Sequence, residues 1–285
     1  MSKSQDHYDW PTSKISSATD FLQILEILRV EKWLCRGQSK CFGELLPKID
    51  RTPLDTMPDR ASKIRIERQS IELFRSMVRF FASEDEKKAL HSDISTLMLL
   101  QHYGIPTRLL DWTLSPFIAA YFSVCQHDDE DSELWCFDYD RYIEKGNEQW
   151  QNYPGVSPNV PVEVRYAQAL SPTEPEPDFF MCVFYYLDFH RMTAQDGAFS
   201  MTAKFGQDHA HSLFKLLDGN NYHHRYVIRS RIKPKIRRIL QTRYGIWGGS
   251  LFPDTAGSAE TVKEIMFENA QRTILKSSAK PKEPI

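Results

Sequence analysis

At 285 residues, 41% hydrophobic and 26% charged, the chain has the composition of an ordinary water-soluble protein and enough length to bury a proper core. A net charge of −2 provides no global field toward phosphates or anionic lipid, which excludes a protein whose whole surface is a nucleic-acid platform. The longest nearly apolar run, Phe117–Val124, is too short to cross a bilayer, and the five cysteines are odd in number with no CxxC pair, so the expected setting is cytoplasmic and reducing, without membrane, disulfide framework or zinc site.

In chain order, the polar residues 1–17 are expected to lie loosely on the surface. Ser17 or Thr19 then caps a helix over Asp20–Val30, in which Phe21, Ile24, Leu25 and Leu28 recur at helical spacing. Trp33-Leu34-Cys35 reads as a strand opening into a loop at Arg36-Gly37-Gln38, and the proline-punctuated residues 50–60 read as a loop. Ala61–Ala82 is a long amphipathic helix and Asp93–Tyr103 another, ending at Gly104 as C-cap. Leu134–Tyr139 and Val160–Ala167 look like strands, 172–177 like a turn or exposed linker, and Met181–Leu187 like a strand or the start of a helix. Arg225–Lys233 alternates as a strand does. Pro234 opens a basic helix to about Arg243, and Ala259–Ala270 is a last helix before a polar tail. The mixture predicts an α+β fold, a single domain with helices packed on a small mixed or antiparallel β core.

The most informative stretch is Gln101–Val124, QHYGIPTRLLDWTLSPFIAAYFSV. Pro106 fixes its own φ and disfavours helical geometry at Ile105, so 107–113 runs extended. Ser115-Pro116 is a strong helix start, with Ser as N-cap and Pro at the first helical position. The outcome is a helix–strand–turn–helix that crowds Arg108, Asp111, Thr113 and Ser115 around one turn. Hydroxyls and unpaired N–H groups at a helix N-terminus suit an anion or a ribose, although Ser115 also serves as a plain cap. Arg36 or Arg108 can pair with Asp111 as a structural ion pair, His102 can cap its helix, and Trp112 can be core or pocket wall. His209-Ala-His211 and His223-His224 have no third ligand at a suitable spacing, so no metal site is expected.

This stretch is similar, almost residue for residue, to the central motif of the FRG domain family, QHxGxPTRLLDWTxxPxxAxxFA. Leu34–Gln38 (LCRGQ) sits where that family has an aromatic residue followed by Arg-Gly, with Cys35 standing at the aromatic position. Leu45-Leu46-Pro47, Arg191–Ser200 (RMTAQDGAFS) and Ser250–Gly257 (SLFPDTAG) resemble its further elements. The resemblance implies one FRG domain over 18–270, flanked by a flexible N-terminus at 1–17 and a disordered tail at 271–285. It also implies a bacterial or phage-related toxin or defence effector.

A second resemblance is to ADP-ribosyltransferases, which place an Arg or His on an early strand, hydroxyls on a strand running into a helix, and an acidic residue on a later strand. It implies an ADP-ribosyltransferase-like pocket in which Arg36, Thr113 and Gln195 are catalytic. Gly37, Gln38, His102, Arg108, Asp111, Trp112 and Ser115 would bind NAD, and the protein would be an NAD-dependent ADP-ribosyltransferase or NAD glycohydrolase acting on a macromolecular target. No acidic residue has the transferase spacing on a late strand; Gln195-Asp196 is the nearest substitute, with Glu163 and Glu260 more distant.

The alternative is a non-catalytic nucleic-acid- or nucleotide-binding module. Arg225, Arg229, Arg231, Lys233, Lys235, Arg237, Arg238 and Arg243 form a basic stripe suited to phosphates, with Tyr222, Tyr226 and Tyr244 available for bases. The same stripe can instead balance the acidic loop Asp128–Glu133.

Overall fold

A computed structural model describes residues 10–51, 59–153, 160–170, 177–184, 190–219, 221–253, 257–259, 261–262 and 265–266. Its helices start where the sequence offers a cap. Ser17 accepts from the Asp20 amide at the head of α1 (Ala18–Val30), Asp59 from Ser62 at α2 (Arg60–Val78), and Ser92 from Ser95 at α4 (Asp93–His102). Between the last two, α3 (Glu84–Ala89) carries a capping box from Ser83 and Glu86. Gly104 follows α4 with φ +75, a left-handed conformation that lets the chain turn without Cβ strain. Ser115 caps α5 (Pro116–Val124) with Pro116 at its start.

Seven strands form one sheet in the order β1-β7-β4-β2-β3-β6-β5. They are β1 (Thr12–Ile15), β2 (Trp33–Gln38), β3 (Leu110–Thr113), β4 (Ser132–Asp138), β5 (Phe180–Val183), β6 (Gly197–Thr202) and β7 (His223–Ile228). Pairing is antiparallel except for β1 with β7, so the fold is α+β with a mixed sheet. Side-chain alternation gives the sheet two apolar faces. One carries Leu34, Trp112, Trp135 and Phe137 beneath α6 (Tyr139–Gln151) and α9 (His209–Leu217).

The opposite face is covered in two halves. Over β2, β4 and β7 lie α1, α5 and α10 (Lys233–Tyr244), burying Phe21, Leu25, Leu134, Ile228 and Ile236. Over β5 and β6 lie α2, α4 and α7 (Val162–Ala169), burying Ile71, Leu97, Tyr166, Met181 and Met201. At the seam, β2 meets β3 only through Cys35 and Thr113, whereas β2 and β4 run paired from Trp33 to Gln38. The sheet is therefore loosest at its centre, between α4 and α5.

Several expectations need correction. Residues 12–15 do not lie loosely: β1 pairs with β7, and Trp10 is buried with its indole N–H donating to the Ala210 carbonyl. Arg36, Gly37 and Gln38 belong to β2 and do not open a loop, because β4 supplies ladder partners as far as Glu133. The span 160–167 is not a strand. Its alternating Val160, Val162 and Val164 mimic one, but Pro161 precedes a helix that packs Tyr166 and Ala169 into the core. Helices α6 and α9 and strand β6 were not expected as such. Residues 172–176 and 271–285 lie outside the described residues, as does most of the helix expected over 259–270. Among the described residues, no helix is long and apolar enough to cross a membrane.

Candidate functional site

Beside the seam between β2 and β3 lie two adjoining chambers. The first, of about 300 Å³, is walled by the end of α4, the facing residues of β2 and β3, α5, and Phe199 and Phe252. The second, of about 510 Å³, is lined by Gln38, Phe42, Arg51, Tyr121 and Gln126 among others. Arg36, Gly37, Phe122 and Phe252 line both, so Arg36 stands at the junction. Both volumes lie in or near the range of small-molecule sites.

Gly37 explains how the junction is built. A Cβ there would lie 1.9 Å from the Ala119 carbonyl and 2.6 Å from the Ser123 amide, so β2 and α5 touch backbone to backbone. That close approach brings Phe122 beside Arg36. The Arg36 side chain is only 13% exposed. Its Nη1 donates to the Asp111 carbonyl at 2.7 Å and sits 3.6 Å from the Asp111 carboxylate, while its Nε has no hydrogen-bond partner. Burial pulls the guanidinium pKa below its ordinary value; Asp111 opposes this, and the second cation Arg51 adds to it. A buried guanidinium with an unmatched N–H is chemically able to receive an anion.

Asp111 is held for its part. Gln101 donates to its Oδ2 at 3.0 Å and accepts from the Thr107 hydroxyl at 2.6 Å, while Thr107 accepts from the Leu109 amide. The QH and PTRLLD parts of the motif are thus joined by one hydrogen-bonded chain ending at the pocket. Asp111 is the one carboxylate among the described residues lining the first chamber, and its side chain is 58% exposed.

Thr113 donates to the Gln195 carbonyl at 2.7 Å and accepts from the Ser115 amide at 3.0 Å. It ties β3 to the end of α8 (His190–Gln195), placing Gln195 at the first chamber. There the Gln195 amide donates to the Leu251 carbonyl, in the short helix α11 (Gly248–Leu251). His102 lines the same chamber, packed edge-on against Tyr103. Trp112 contributes wall and core: it is 2% exposed, and its indole donates to Ser200 at 2.7 Å.

Two expected site residues are elsewhere. Arg108 is fully buried away from both chambers, bonded to Glu67 at 2.8 Å and to the Ala203 carbonyl, and stacked 3.9 Å from the Phe205 ring centroid. It lies in the bend before β3 and its side chain turns to α2, so its ion pair is with Glu67 and not with Asp111. Ser115 lines neither chamber, and its hydroxyl caps α5 at Ile118.

Sequence reasoning missed Gln101, Phe42, Arg51, Phe122 and Phe252 as wall residues. Gln101, Phe122 and Phe252 lay within the matched motifs, whereas Phe42 and Arg51 carried no local signal. Among the described residues, no group of three or more His, Cys, Asp or Glu side chains is placed to hold a metal.

Half of the basic stripe, four residues of eight, is engaged within the molecule. Arg225 pairs with the buried Glu133 and Arg229 with Asp131, each at 2.6 Å, and Arg237 pairs with Asp128. Lys233 is buried and donates to the carbonyls of Ser39, Gln126, His127 and Glu130. These bonds fasten the acidic loop, which matches the charge-balancing role.

Residues 31–132 match the family model of the FRG domain, a span that contains β2, β3, α5 and the residues joining Arg36 to Asp111. No curated protein and no solved structure matches the chain. The motif and the domain match together show that the chain contains an FRG domain over these residues.

Proposed function

We propose that the two-chambered cleft binds NAD and that the protein transfers its ADP-ribosyl group to a macromolecule or to water. The observation carrying this reading is Arg36, a buried guanidinium with an unpartnered Nε at the junction of two chambers. A dinucleotide offers two bases on either side of a diphosphate, which suits chambers on either side of one buried cation. Arg36 and Arg51 would hold the diphosphate, by the match of guanidinium forks to phosphate oxygens.

The nicotinamide ribose would occupy the first chamber. Breaking its N-glycosidic bond sends the electron pair out with nicotinamide and leaves positive charge on the ribose, as in other glycosyl transfers. The Asp111 carboxylate, fixed by Gln101, would stabilise that charge, and Gln195, held by Thr113, would orient the ribose or the acceptor. The acceptor oxygen or nitrogen then bonds to the ribose carbon and loses a proton to solvent. Consumption of NAD, or marking of a target, is the route by which such a protein would act as a toxin or in phage defence.

The test is nicotinamide release from NAD, with and without cell extract as acceptor, by wild type and Arg36→Ala. Release that falls by roughly 100-fold or more in the variant is expected for loss of a preorganised charge contact. Absence of release from wild type in both conditions, or equal release by both proteins, would overturn the reading.

A further inference from the structure

We infer that the second chamber is the seat of an adenine base, and that the amide of Gln38 reads its exocyclic amino group. The inference rests on the nucleotide reading of Arg36 and goes further by assigning the base. Gln38 is 6% exposed, lies along the second chamber, and its Oε1 has no hydrogen-bond partner. A buried amide oxygen left unpaired is costly, and a ligand that donates to it recovers that cost.

A primary amide presents an acceptor beside a donor. Adenine presents the complement along its N6–H and N7 edge, the pairing by which Gln and Asn recognise adenine elsewhere. Hypoxanthine offers two acceptors on that edge, so one half of the Gln38 amide would face a like group.

The rest of the chamber suits a nucleoside diphosphate. Phe42 is 51% exposed on its wall, with the Arg51 guanidinium 5.7 Å from the ring centroid. An exposed aromatic face in a cleft is a stacking platform for any base. Arg51 also lines the chamber near enough to Arg36 for the two charges to act on each other, so a diphosphate could engage both. The amide and the ring thus divide the work: Gln38 discriminates between bases, and Phe42 holds whichever base enters.

The experiment is calorimetric titration of the full chain with ADP and with IDP, repeated on Gln38→Leu and Phe42→Ala, with thermal unfolding of each variant as a check. Wild type is expected to bind ADP about tenfold or more tightly than IDP, the discrimination of one two-point base contact. Gln38→Leu should lose that preference through weaker ADP binding, while Phe42→Ala should weaken both ligands alike.

Equal affinity of wild type for ADP and IDP overturns the assignment and needs no variant to show it. Selectivity that persists in Gln38→Leu overturns it too. Selective ADP binding without NAD consumption supports the adenine seat and defeats only the transfer reaction. Failure of wild type to bind either nucleotide removes both the seat and the nucleotide reading of Arg36.

Discussion

Two arginines of this chain illustrate how differently a buried cation can be used. Arg108 and Glu67 are each 2% exposed and meet at 2.8 Å, and Tyr166 donates to the second Glu67 oxygen at 2.8 Å. The pair bolts α2 to the segment entering β3. Arg36, by contrast, faces a half-exposed carboxylate and lines both chambers of the cleft. Removing one member of a closed pair strands the other, so Glu67→Ala should cost about 3–5 kcal/mol in urea unfolding. Replacing both residues by Met should recover much of this, because the desolvation of two charges then disappears. A loss below about 1 kcal/mol in Glu67→Ala, the level of an exposed pair, would show that Arg108 finds water or another partner.

At the scale of elements, the cleft depends on β2 and α5 lying closer than side chains allow. Gly37→Ala must separate them, since the new methyl would fall on the Ala119 carbonyl. Overpacking of this kind costs about 1–3 kcal/mol, a fall of several degrees in the midpoint of thermal unfolding. An unchanged midpoint would mean that the two elements part freely. The helices of this region were legible because their information is local: Ser115-Pro116 announces α5, Ser17 with apolar periodicity announces α1, periodicity alone announces α2, and Gly104 marks the end of α4. Strand β1 was illegible because TSKI is polar and becomes a strand only through partners at Arg225–Ile228. The valines before α7 alternate convincingly, and only packing of Tyr166 and Ala169 against distant helices decides for a helix. The site divides along the same line. Motif residues brought Arg36, Asp111, Thr113 and Gln195 together in the reading, while the partner of Arg108 lies 41 positions away and Phe42 and Arg51 belong to no pattern.

For the whole molecule, the seam that creates the cleft needs fastening from the other side, and a neutral histidine supplies it. Trp112 of β3 donates to the Ser200 hydroxyl of β6, and that hydroxyl shares a hydrogen bond with Nδ1 of His209 at 2.8 Å. His209 is fully buried at the start of α9, where its amide also holds the Leu45 carbonyl. Burial, with Arg36 and Arg108 adding to it, lowers its pKa from 6.5 to about 3. Between those values the unfolded chain binds a proton that the folded chain excludes. The stability tied to neutral His209 is therefore complete above pH 6.5 and is lost progressively as pH falls through this window toward 3. Buried Asp50 and Asp208 have raised pKa values and act in the opposite sense at lower pH, while His223, lowered to about 4, acts in the same sense. The His209 contribution is isolated by comparing wild type with His209→Gln, since the other groups are common to both. Wild type should lose about 2 kcal/mol more than the variant between pH 7 and pH 5, measured as the free energy of urea unfolding at each pH. Parallel losses in the two proteins would show that His209 takes up its proton within the folded state. The Trp112–Ser200–His209 chain would then not be what keeps the two halves of the sheet together in acid.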